Sequence, residues 1–350
     1  MPLVSPPALL QAYLSQAPPT RPSGRTSTQT RPINLNTGSL THCDGSSLVK
    51  LGESTIVCGI RAELLPVSEI PHYRASENAR TAPEEDEDKD YEAITLNNLL
   101  VPNLELSTNC HPSFPPNAPP STTAQGISQR VLSLLHSSRL VRVTDLEIRY
   151  SAPAGELDVD TEDPAYVEPE RDVLKAYWVL YIDCVALGCG GECNAFDAVV
   201  LGVVAALRDL RLPKARWDED VKGVFCDAEW ERGRVLRLRG LPCPLGFGVF
   251  EPDSRLGVGG QVGQVNGAAK ETKMEAVTLM DIDAFEDDVC EEKGNVVVDC
   301  STGTCRILRI EKAGGSGRLD VSGMREVVEH AEKRWHDWKR VLDTATGGAG

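Results

Sequence analysis

The chain has 350 residues, 41% hydrophobic and 25% charged, a composition typical of a globular protein with one large or two modest domains. No run approaches the ~18 consecutive apolar residues of a membrane span, and the proline-rich start without basic residues does not resemble a signal peptide. The net charge of −16 excludes a broadly basic protein that coats nucleic acid unaided, so any contact with RNA or DNA must be local or shared with a partner.

Residues 1–30 predict a helix followed by an arm. The apolar segment 8–14 favours a short helix, and the Pro/Ser/Thr-rich stretch after it favours irregular structure. From residue 31 the pattern changes, because residues 32–36 alternate between apolar and polar side chains as in a half-buried strand. Residues 46–50 and 54–62 predict two further strands that form a hairpin around Leu51-Gly52-Glu53.

Three stretches interrupt the patterned chain and predict insertions. Residues 74–92 contain the acidic block Glu84 to Asp90, which has no apolar period and is typical of a solvated, disordered loop. Residues 156–172 are acidic and proline-bearing, and residues 253–273 are rich in Gly, Val and Gln. The predicted organisation is an N-terminal helix and arm over 1–30 and a single domain over 31–345 that carries these three insertions.

The remaining elements predict a mixed α+β domain. Helical spacing marks residues 124–141, the long apolar run 173–187 predicts a buried strand, and residues 196–210 are apolar on nearly every face of a helix. Further strands are predicted at 235–238, 246–250, 276–282, 295–299 and 305–311. An amphipathic helix closes the chain, with Trp335 and Trp338 on its apolar stripe. The order of elements is not that of a regular doubly wound sheet.

The cysteines and glycines give weak signals for bound metals or phosphate. Eleven cysteines lie mostly in apolar runs, which favours reduced thiols in a cytosolic or nuclear protein. The pairs Cys189/Cys193 and Cys300/Cys305 lack a matching His, so no metal and no cofactor are expected. Residues 257–260 lack the strand and helix of a phosphate cradle. Residues 314–317 precede the last helix and either hold an anion or form a flexible entry loop.

One stretch is chemically informative. Residues 279–288 carry the carboxylates Asp281, Asp283, Glu286, Asp287 and Asp288, and they lie between two predicted buried strands. A carboxylate-rich loop in that position is either an acid/base site or a solvated acidic turn.

Three stretches of the sequence resemble the RNase PH family of 3′→5′ phosphorolytic exoribonucleases. Residues 21–26 with 31–33 are similar to the family's opening, residues 44–52 with 55–59 to its first hairpin, and residues 279–298 to its segment ending in an Asp-Met-Asn motif. The resemblance implies an RNase PH-like fold of mixed sheets packed with helices, similar to domain 2 of ribosomal protein S5. It is strongest with the branch whose members form the six-membered ring of the eukaryotic RNA exosome.

The departures from the family pattern imply an inactive member. Active members carry an Asp in the Asp-Met-Asn motif, and here that position is Lys293, followed by Gly294 and Asn295. The substitution reverses a charge and removes a ligand oxygen. Asp287 still matches an acidic position of the family, but its single carboxylate cannot replace the two acidic residues of active members.

The resemblance also implies that contacts to both substrates, phosphate and RNA, are missing in this chain. The Gly-Thr/Ser-x-Glu turn that holds phosphate in active members corresponds to Glu311, Lys312, Ala313 and Gly314, which lack its hydroxyl. The arginines that grip RNA in the first long helix fall on Leu134 and Ser137 when Gln129-Arg130 is aligned with the family. Residues 81–129 contain no arginine and only one lysine, Lys89.

The implied function is therefore that of a catalytically inactive structural subunit of the exosome core ring, which supports 3′→5′ RNA processing and degradation, including rRNA maturation. The implied partners are other RNase PH-like ring subunits, S1/KH-type cap subunits, a hydrolytic nuclease subunit and RNA in the shared channel, without a membrane. The implied location is the nucleus and nucleolus, and also the cytoplasm. The alternative is an active phosphorolytic exoribonuclease that uses Asp281, Asp283 or Asp287.

Overall fold

The structure is a computed structural model that describes most of the chain. It covers residues 5–71, 87–108, 110, 114, 121–151, 172–189, 195–227, 229, 232–252, 276–315 and 319–347. The predicted insertions at 156–172 and 253–273, and residues 74–86 of the first, lie outside these ranges apart from Asp172. Within the described ranges, no helix is long and apolar enough to cross a bilayer.

The larger of the two main sheets has six strands. They are β1 (Ile33–Thr37), β2 (Gly45–Leu51), β3 (Ser54–Pro66), β4 (Leu100–Leu106), β5 (Glu147–Ser151) and β6 (Asp172–Gly188). The order across the sheet is β1-β2-β3-β6-β4, and β5 also pairs with β6. β4 runs parallel to β6, and the other pairs are antiparallel. The predicted hairpin is confirmed, because β2 and β3 pair in register from Gly45↔Ile60 to Leu51↔Ser54.

The second main sheet has four antiparallel strands. Two small two-stranded sheets precede it in the chain: β7 (Arg211–Leu212) with β10 (Arg234–Val235), and β8 (Ala215–Asp218) with β9 (Gly223–Cys226). The four strands are β11 (Cys243–Phe250), β12 (Val277–Met280), β13 (Glu292–Asp299) and β14 (Arg306–Gly314). Their order across the sheet is β12-β11-β13-β14, so β14 is an edge strand of this sheet within the described residues.

Seven α-helices and one short 3-10 helix, Val67–Glu69, accompany the sheets in the described part of the chain. The α-helices are α1 (Pro6–Leu14), α2 (Glu87–Leu96), α3 (Thr122–Ser138), α4 (Val143–Leu146), α5 (Phe196–Asp209), α6 (Ala284–Val289) and α7 (Val321–Gly347). α5 contacts β2 and β3 of the first sheet and β11 of the second, while α7 contacts β1, β11 and β13. These two helices therefore join the sheets, and one hydrophobic core runs through both.

Helix α5 is buried because its sequence is apolar on nearly every side. Every residue from 196 to 207 is buried, as the pattern predicts. Gly45 allows β2 to approach this helix closely, since a Cβ at that position would lie 2.6 Å from the Ala206 carbonyl oxygen. Trp335 and Trp338 of α7 also face the chain's own core, and the Trp335 Nε1 donates a hydrogen bond of 2.9 Å to the Leu241 carbonyl.

The structure corrects several local predictions. Residues 87–92, assigned to the acidic insertion, begin helix α2, because Tyr91 and Ile94 pack on the core despite the preceding charges. Of the predicted strand 235–238, only Val235 pairs with another strand, as the last residue of β10. β4 and β5 were not predicted, since their short mixed sequences have weak periodicity. Residues 284–289 form helix α6 instead of an acidic loop, because Asp283 and Glu286 make a capping box.

Candidate functional site

A cleft lies between helix α3, the start of α5 and the strands β11, β13 and β14. Its volume is about 460 Å³, and its lining residues are Arg130, Phe196, Gly246, Ile282, Asp287, Lys293, Gly294, Asn295, Glu311, Lys312 and Ala313. The fold therefore brings the predicted site residues Asp287, Lys293 and Asn295 together with Glu311 and Lys312, although they come from two strands and a helix. Gly314 ends β14 beside them.

Asp287 and Lys293 form an ion pair in this cleft. The Lys293 Nζ lies 2.7 Å from the Asp287 Oδ2 and also donates a hydrogen bond of 3.1 Å to the Asp287 carbonyl. Both side chains are partly exposed, 41% for Lys293 and 37% for Asp287. Lys293 thus occupies the carboxylate of Asp287 within the chain.

Asn295 is buried at the base of the cleft. Its Nδ2 donates a hydrogen bond of 3.1 Å to the Oδ1 of Asp197, the second residue of α5. The Asn295 Oδ1 has no hydrogen-bond partner among the described residues. The amide thus ties β13 to α5 and leaves one buried acceptor beside the cleft.

The other two cations of the cleft are paired as well. Arg130 Nη2 lies 2.5 Å from Glu311 Oε2, and its guanidinium covers the Phe196 ring at 4.0 Å. Lys312 Nζ lies 2.6 Å from Oε1 of the buried Glu292. All three cations that line the cleft therefore have a carboxylate of this chain as partner.

The stretch aligned with the family's phosphate-binding turn is part of a strand. Glu311, Lys312 and Ala313 pair with Asn295, Gly294 and Lys293, and Gly314 lies opposite Glu292. The prediction of a turn over residues 311–314 is wrong, because β14 pairs regularly with β13 over this stretch. Gly294 permits the pairing, since a Cβ there would lie 2.3 Å from the Glu311 carbonyl oxygen and 2.6 Å from the Phe247 ring.

Behind the cleft, four arginines and four carboxylates form a largely buried network. Arg21, Arg25 and Arg31 come from the N-terminal arm, and Arg334 comes from α7. Their partners are Asp197 of α5 and the acidic residues Asp281, Asp283 and Glu286. The formal charges cancel, four against four, as burial of charges requires.

Asp281 is the centre of this network. Arg31 Nη2 lies 2.7 Å and Arg334 Nη1 2.9 Å from its Oδ1, and Arg31 also donates its backbone N–H to Oδ2. Burial by itself would raise the pKa of Asp281, but Arg334 and Arg31 hold the pKa well below its usual range. Asp281 is completely buried and therefore does not belong to a solvated acidic turn.

The contacts of the candidate carboxylates Asp281, Asp283 and Asp287 limit the chemistry that each can perform. Asp281 is ionised and enclosed by arginines, so it is a poor proton acceptor near neutral pH. The Asp283 side chain accepts a hydrogen bond of 3.0 Å from the Glu286 backbone N–H as the N-cap of α6. Asp287 pairs with Lys293. The structure places only Asp287 in the cleft, and all three carboxylates have partners within the chain.

Leu134 and Ser137 of α3, where the resemblance implies that RNA-binding arginines are missing, differ in burial. Leu134 is buried in the core, and Ser137 is exposed, with its Oγ donating a hydrogen bond of 3.2 Å to the Leu134 carbonyl. Of the residues discussed for this helix, Arg130 is the one that lines the cleft.

Sequence reasoning missed the roles of Phe196, Asp197, Arg130 and Arg334. Two of them carried a usable signal: Asp197 is a carboxylate near the start of an otherwise apolar helix, and Arg334 interrupts the apolar stripe of α7. A charge at a core position predicts a buried partner of opposite sign. Of the two cysteine pairs, Cys300 and Cys305 are both free cysteines in the structure, and Cys193 lies outside the described residues. Among the described residues, no three His, Cys, Asp or Glu side chains converge as a metal site would require.

The chain matches the profile of the 3′ exoribonuclease family, domain 1 (RNase PH), over residues 29–213. This region includes the first sheet, Arg130, Phe196 and Asp197. It ends before Asp287, Lys293 and Asn295.

Curated relatives match a little over half of the chain. Exosome complex component rrp43 of Schizosaccharomyces pombe is 32% identical over 206 residues, which cover 59% of this chain and 58% of that protein. Exosome complex component Rrp42 of Saccharolobus islandicus is 27% identical over 201 residues, which cover 57% of this chain and 55% of that protein. The aligned region thus spans less than two thirds of each relative.

Solved structures share the fold over nearly the whole chain. A chain of the Archaeoglobus fulgidus exosome with RNA bound to the active site superposes with a TM-score of 0.59 at 17% identity and covers 96% of both chains. A chain of an archaeal exosome core superposes with a TM-score of 0.52 at 16% identity and covers 95% of this chain and 96% of that one. The predicted α+β, RNase PH-like fold is confirmed, and the chain belongs to the 3′ exoribonuclease (RNase PH) family.

Proposed function

We propose that this chain is a non-catalytic subunit of the ring of an exosome core. In this role it supports 3′→5′ RNA processing and degradation, including rRNA maturation, by shaping the RNA channel. Its partners are other RNase PH-like ring subunits, S1/KH-type cap subunits, a hydrolytic nuclease subunit and the RNA itself. Its location is the nucleus and nucleolus, and also the cytoplasm. Family membership and the likeness to exosome components support the proposal.

The pairing of the cleft's cations carries the non-catalytic part of the proposal. Phosphorolysis requires inorganic phosphate in line with the scissile bond and a proton donor for the departing RNA 3′ oxygen. Phosphate would have to compete with Glu311, Asp287 and Glu292 for the three cations. The two carboxylates that line the cleft in the described part of the chain, Asp287 and Glu311, are ion-paired with Lys293 and Arg130, so neither is a free acid.

An exposed edge strand supports membership of a ring. β14 pairs only with β13 among the described residues, and Ile307 and Ile310 on it are 46% and 47% exposed. A free edge with apolar side chains favours a partner chain that covers it.

The alternative, an active phosphorolytic exoribonuclease, has one observation in its favour. The cleft remains open at about 460 Å³, and the buried Asn295 Oδ1 beside it lacks a partner among the described residues. A small ligand that donates a hydrogen bond would satisfy this atom.

Activity separates the two functions. We expect no release of nucleoside diphosphate from oligo(A) with phosphate and a divalent metal, either for the wild type or for Lys293→Asp. Positioning supplies ~7–11 kcal/mol of such a barrier, and one restored carboxylate leaves phosphate and RNA unheld. Lys293→Ala is the matched control, because it frees Asp287 without adding an acid. Turnover by the wild type would overturn the non-catalytic proposal, and turnover by Lys293→Asp alone would show that both binding sites survive.

Assembly is tested separately. Co-expression with RNase PH-like ring subunits should give a stable complex in which mass spectrometry identifies cap and hydrolytic nuclease subunits. A chain that stays a monodisperse monomer in the presence of ring subunits would contradict the ring proposal. A fluorescent fusion of the full chain tests the location.

A further inference from the structure

A groove, which we call the edge groove, lies between strand β1 and the last turns of α7. Its volume is about 610 Å³, and it shares no lining residue with the cleft. Arg340 is the one charged residue among its described lining residues, and it pairs with Asp337 on the exposed surface of α7. The apolar residues of the lining are Ile33, Leu35, Val341 and Ala345. The edge groove is therefore suited to uncharged side chains, because a charge buried there would have no partner.

The pairing of β1 with β2 shows which backbone groups of β1 point away from the sheet. The Gly52 N–H donates to the Pro32 carbonyl at 3.0 Å, and the Gly38 N–H donates to the Ser46 carbonyl at 3.1 Å. In the β1–β2 register both bonds join directly opposite residues, and such bonded pairs alternate along an antiparallel ladder. The even-numbered residues of β1 therefore bond to β2. The N–H and C=O groups of the odd-numbered residues point outward, on a side with no strand among the described residues: Ile33, Leu35 and Thr37.

β1 lacks the features that usually protect a sheet edge. Natural edge strands carry prolines, charged residues or bulges, or another segment covers them. Among the described edge strands of the two main sheets, β4 contains Pro102, β5 and β14 carry charged residues, and the Met280 N–H of β12 donates to the Ser27 carbonyl of the arm. The sequence of β1, INLNT, has no proline and no charge, and its register with β2 has no irregularity. An edge of this kind is suited to pairing with a further strand.

We infer that β1 accepts an extended, uncharged segment of a partner protein as an additional antiparallel strand, with alternate apolar side chains in the edge groove. The three outward N–H and three outward C=O groups allow up to six hydrogen bonds to this segment. In this mode of recognition the main chain supplies affinity, and the sites for alternate side chains supply specificity. The inference goes beyond the proposed ring function and does not depend on whether the cleft is active.

The two faces of β1 predict the polarity of the added segment. Ile33 and Leu35 pack against the core on the side of α7, whereas Asn34 and Asn36 are exposed on the other face. Directly opposite residues of an antiparallel pair carry their side chains on the same face. The residues that bond to β1 therefore place their side chains in the edge groove and should be apolar, and the residues between them should be polar.

The edge groove is poorly suited to single-stranded RNA. RNA binding of that kind relies on cations that follow the phosphates and on open aromatic faces for stacking. The described lining residues include no aromatic residue and only one cation, Arg340, which is paired. A protein strand therefore matches the site better than RNA does.

The test is fluorescence anisotropy of the full chain with a labelled peptide in which valines alternate with threonines between glycine-serine ends. We expect saturable binding. Methylation of the valine amide nitrogens should weaken it on the order of tenfold, because those N–H groups face β1. Methylation of the threonine amide nitrogens, which lie on the outer side, should leave the affinity within about twofold.

Variants of the chain test the same contacts from the other side. Leu35→Pro removes the central outward N–H and leaves the bonds to β2 in place, and it should weaken binding on the order of tenfold. Val341→Glu puts a charge into the wall of the edge groove and should have a similar effect. His336→Glu is the matched control, because it makes the same change of charge at an exposed position of α7 outside the groove. Its affinity should match that of the wild type.

Several results would overturn the inference. They are the absence of saturable binding, an equal effect of the two methylation patterns, an equal loss of affinity in His336→Glu, and binding of oligo(U) as tight as that of the peptide. A wild-type dimer in sedimentation that Leu35→Pro abolishes would assign the edge to a second copy of this chain instead. Thermal melts check the fold of each variant, and Val341→Glu together with the methylated peptides decides the question if Leu35→Pro does not fold.

Discussion

At the residue scale, the arginines that resemble the family's opening have a structural role. Arg21 donates a hydrogen bond of 2.6 Å from Nε to Glu286 and one of 2.8 Å from Nη1 to the Met280 carbonyl, and Arg25 donates one of 2.9 Å to the Asp281 carbonyl. These contacts join residues more than 250 positions apart in the chain. Residues 21–26, which resemble the opening of the RNase PH family, thus hold the N-terminal arm against the second sheet through the contacts of Arg21 and Arg25.

Breaking this network at its centre should be costly. Asp281→Asn leaves Arg31 and Arg334 without their shared carboxylate, and we expect the free energy of unfolding to fall by about 3–5 kcal/mol. Urea unfolding measures the loss. Asp288→Asn, on the exposed side of α6, is the control and should stay within about 0.5 kcal/mol of the wild type.

The double variant Asp281→Asn/Arg334→Met tests whether the loss comes from unpaired charge. Since the second substitution removes one of the stranded cations, the combined loss should be smaller than the sum of the single losses. Strictly additive losses would contradict the coupling.

At the element scale, the N-terminal helix α1 belongs to a separate, smaller apolar cluster. Leu10 and Leu14 pack with Phe250, Leu279, Ile282 and Cys290. The helix itself is short and lacks a side-chain cap, so this packing stabilises it more than its own propensity does.

Two neighbouring leucines make a matched test of that packing. Leu10 is completely buried, and Leu10→Ala should lower the free energy of unfolding by about 2–5 kcal/mol through lost transfer energy and a cavity. Leu9 is 38% exposed, and Leu9→Ala should change it by less than about 0.5 kcal/mol. Urea unfolding and limited proteolysis of the arm provide the measurements. Equal losses would mean that α1 does not sit on this cluster.

At the scale of the whole molecule, the ion network predicts how stability depends on pH. The folded state holds the pKa of Asp281 below its value in the unfolded chain, which is about 3.9. The unfolded chain therefore binds this proton first as the pH falls. The stability that Asp281 contributes is complete above about pH 5 and is lost progressively as the pH drops below about 4.

Unfolding free energies at several pH values between neutrality and pH 3 test this. The wild type should lose stability more steeply than Asp281→Asn/Arg334→Met, by up to about 1.4 kcal/mol per pH unit for one proton. Parallel curves for the two proteins would mean that Asp281 does not contribute to acid unfolding.

The elements whose signal is local could be predicted from the order of the amino acids. The hairpin of β2 and β3, the all-apolar α5 and the amphipathic α7 follow from periodicity over a few turns or strand residues, and the motifs were sufficient to identify the RNase PH family. The substitution of Lys293 for an expected acid was also visible, because it concerns one position in a motif.

The partners of the charged residues could not be predicted in this way, because they lie far apart along the chain. Charged side chains are usually exposed, so the acidic stretch 281–288 is compatible with a solvated turn. Its burial depends on arginines from residues 21–31 and on Arg334, which come near it only in the folded chain. The same holds for Lys293 and Asp287, whose contact requires α6 to turn back onto β13. Ion pairing depends on distance in space, and periodicity along the chain carries no information about it.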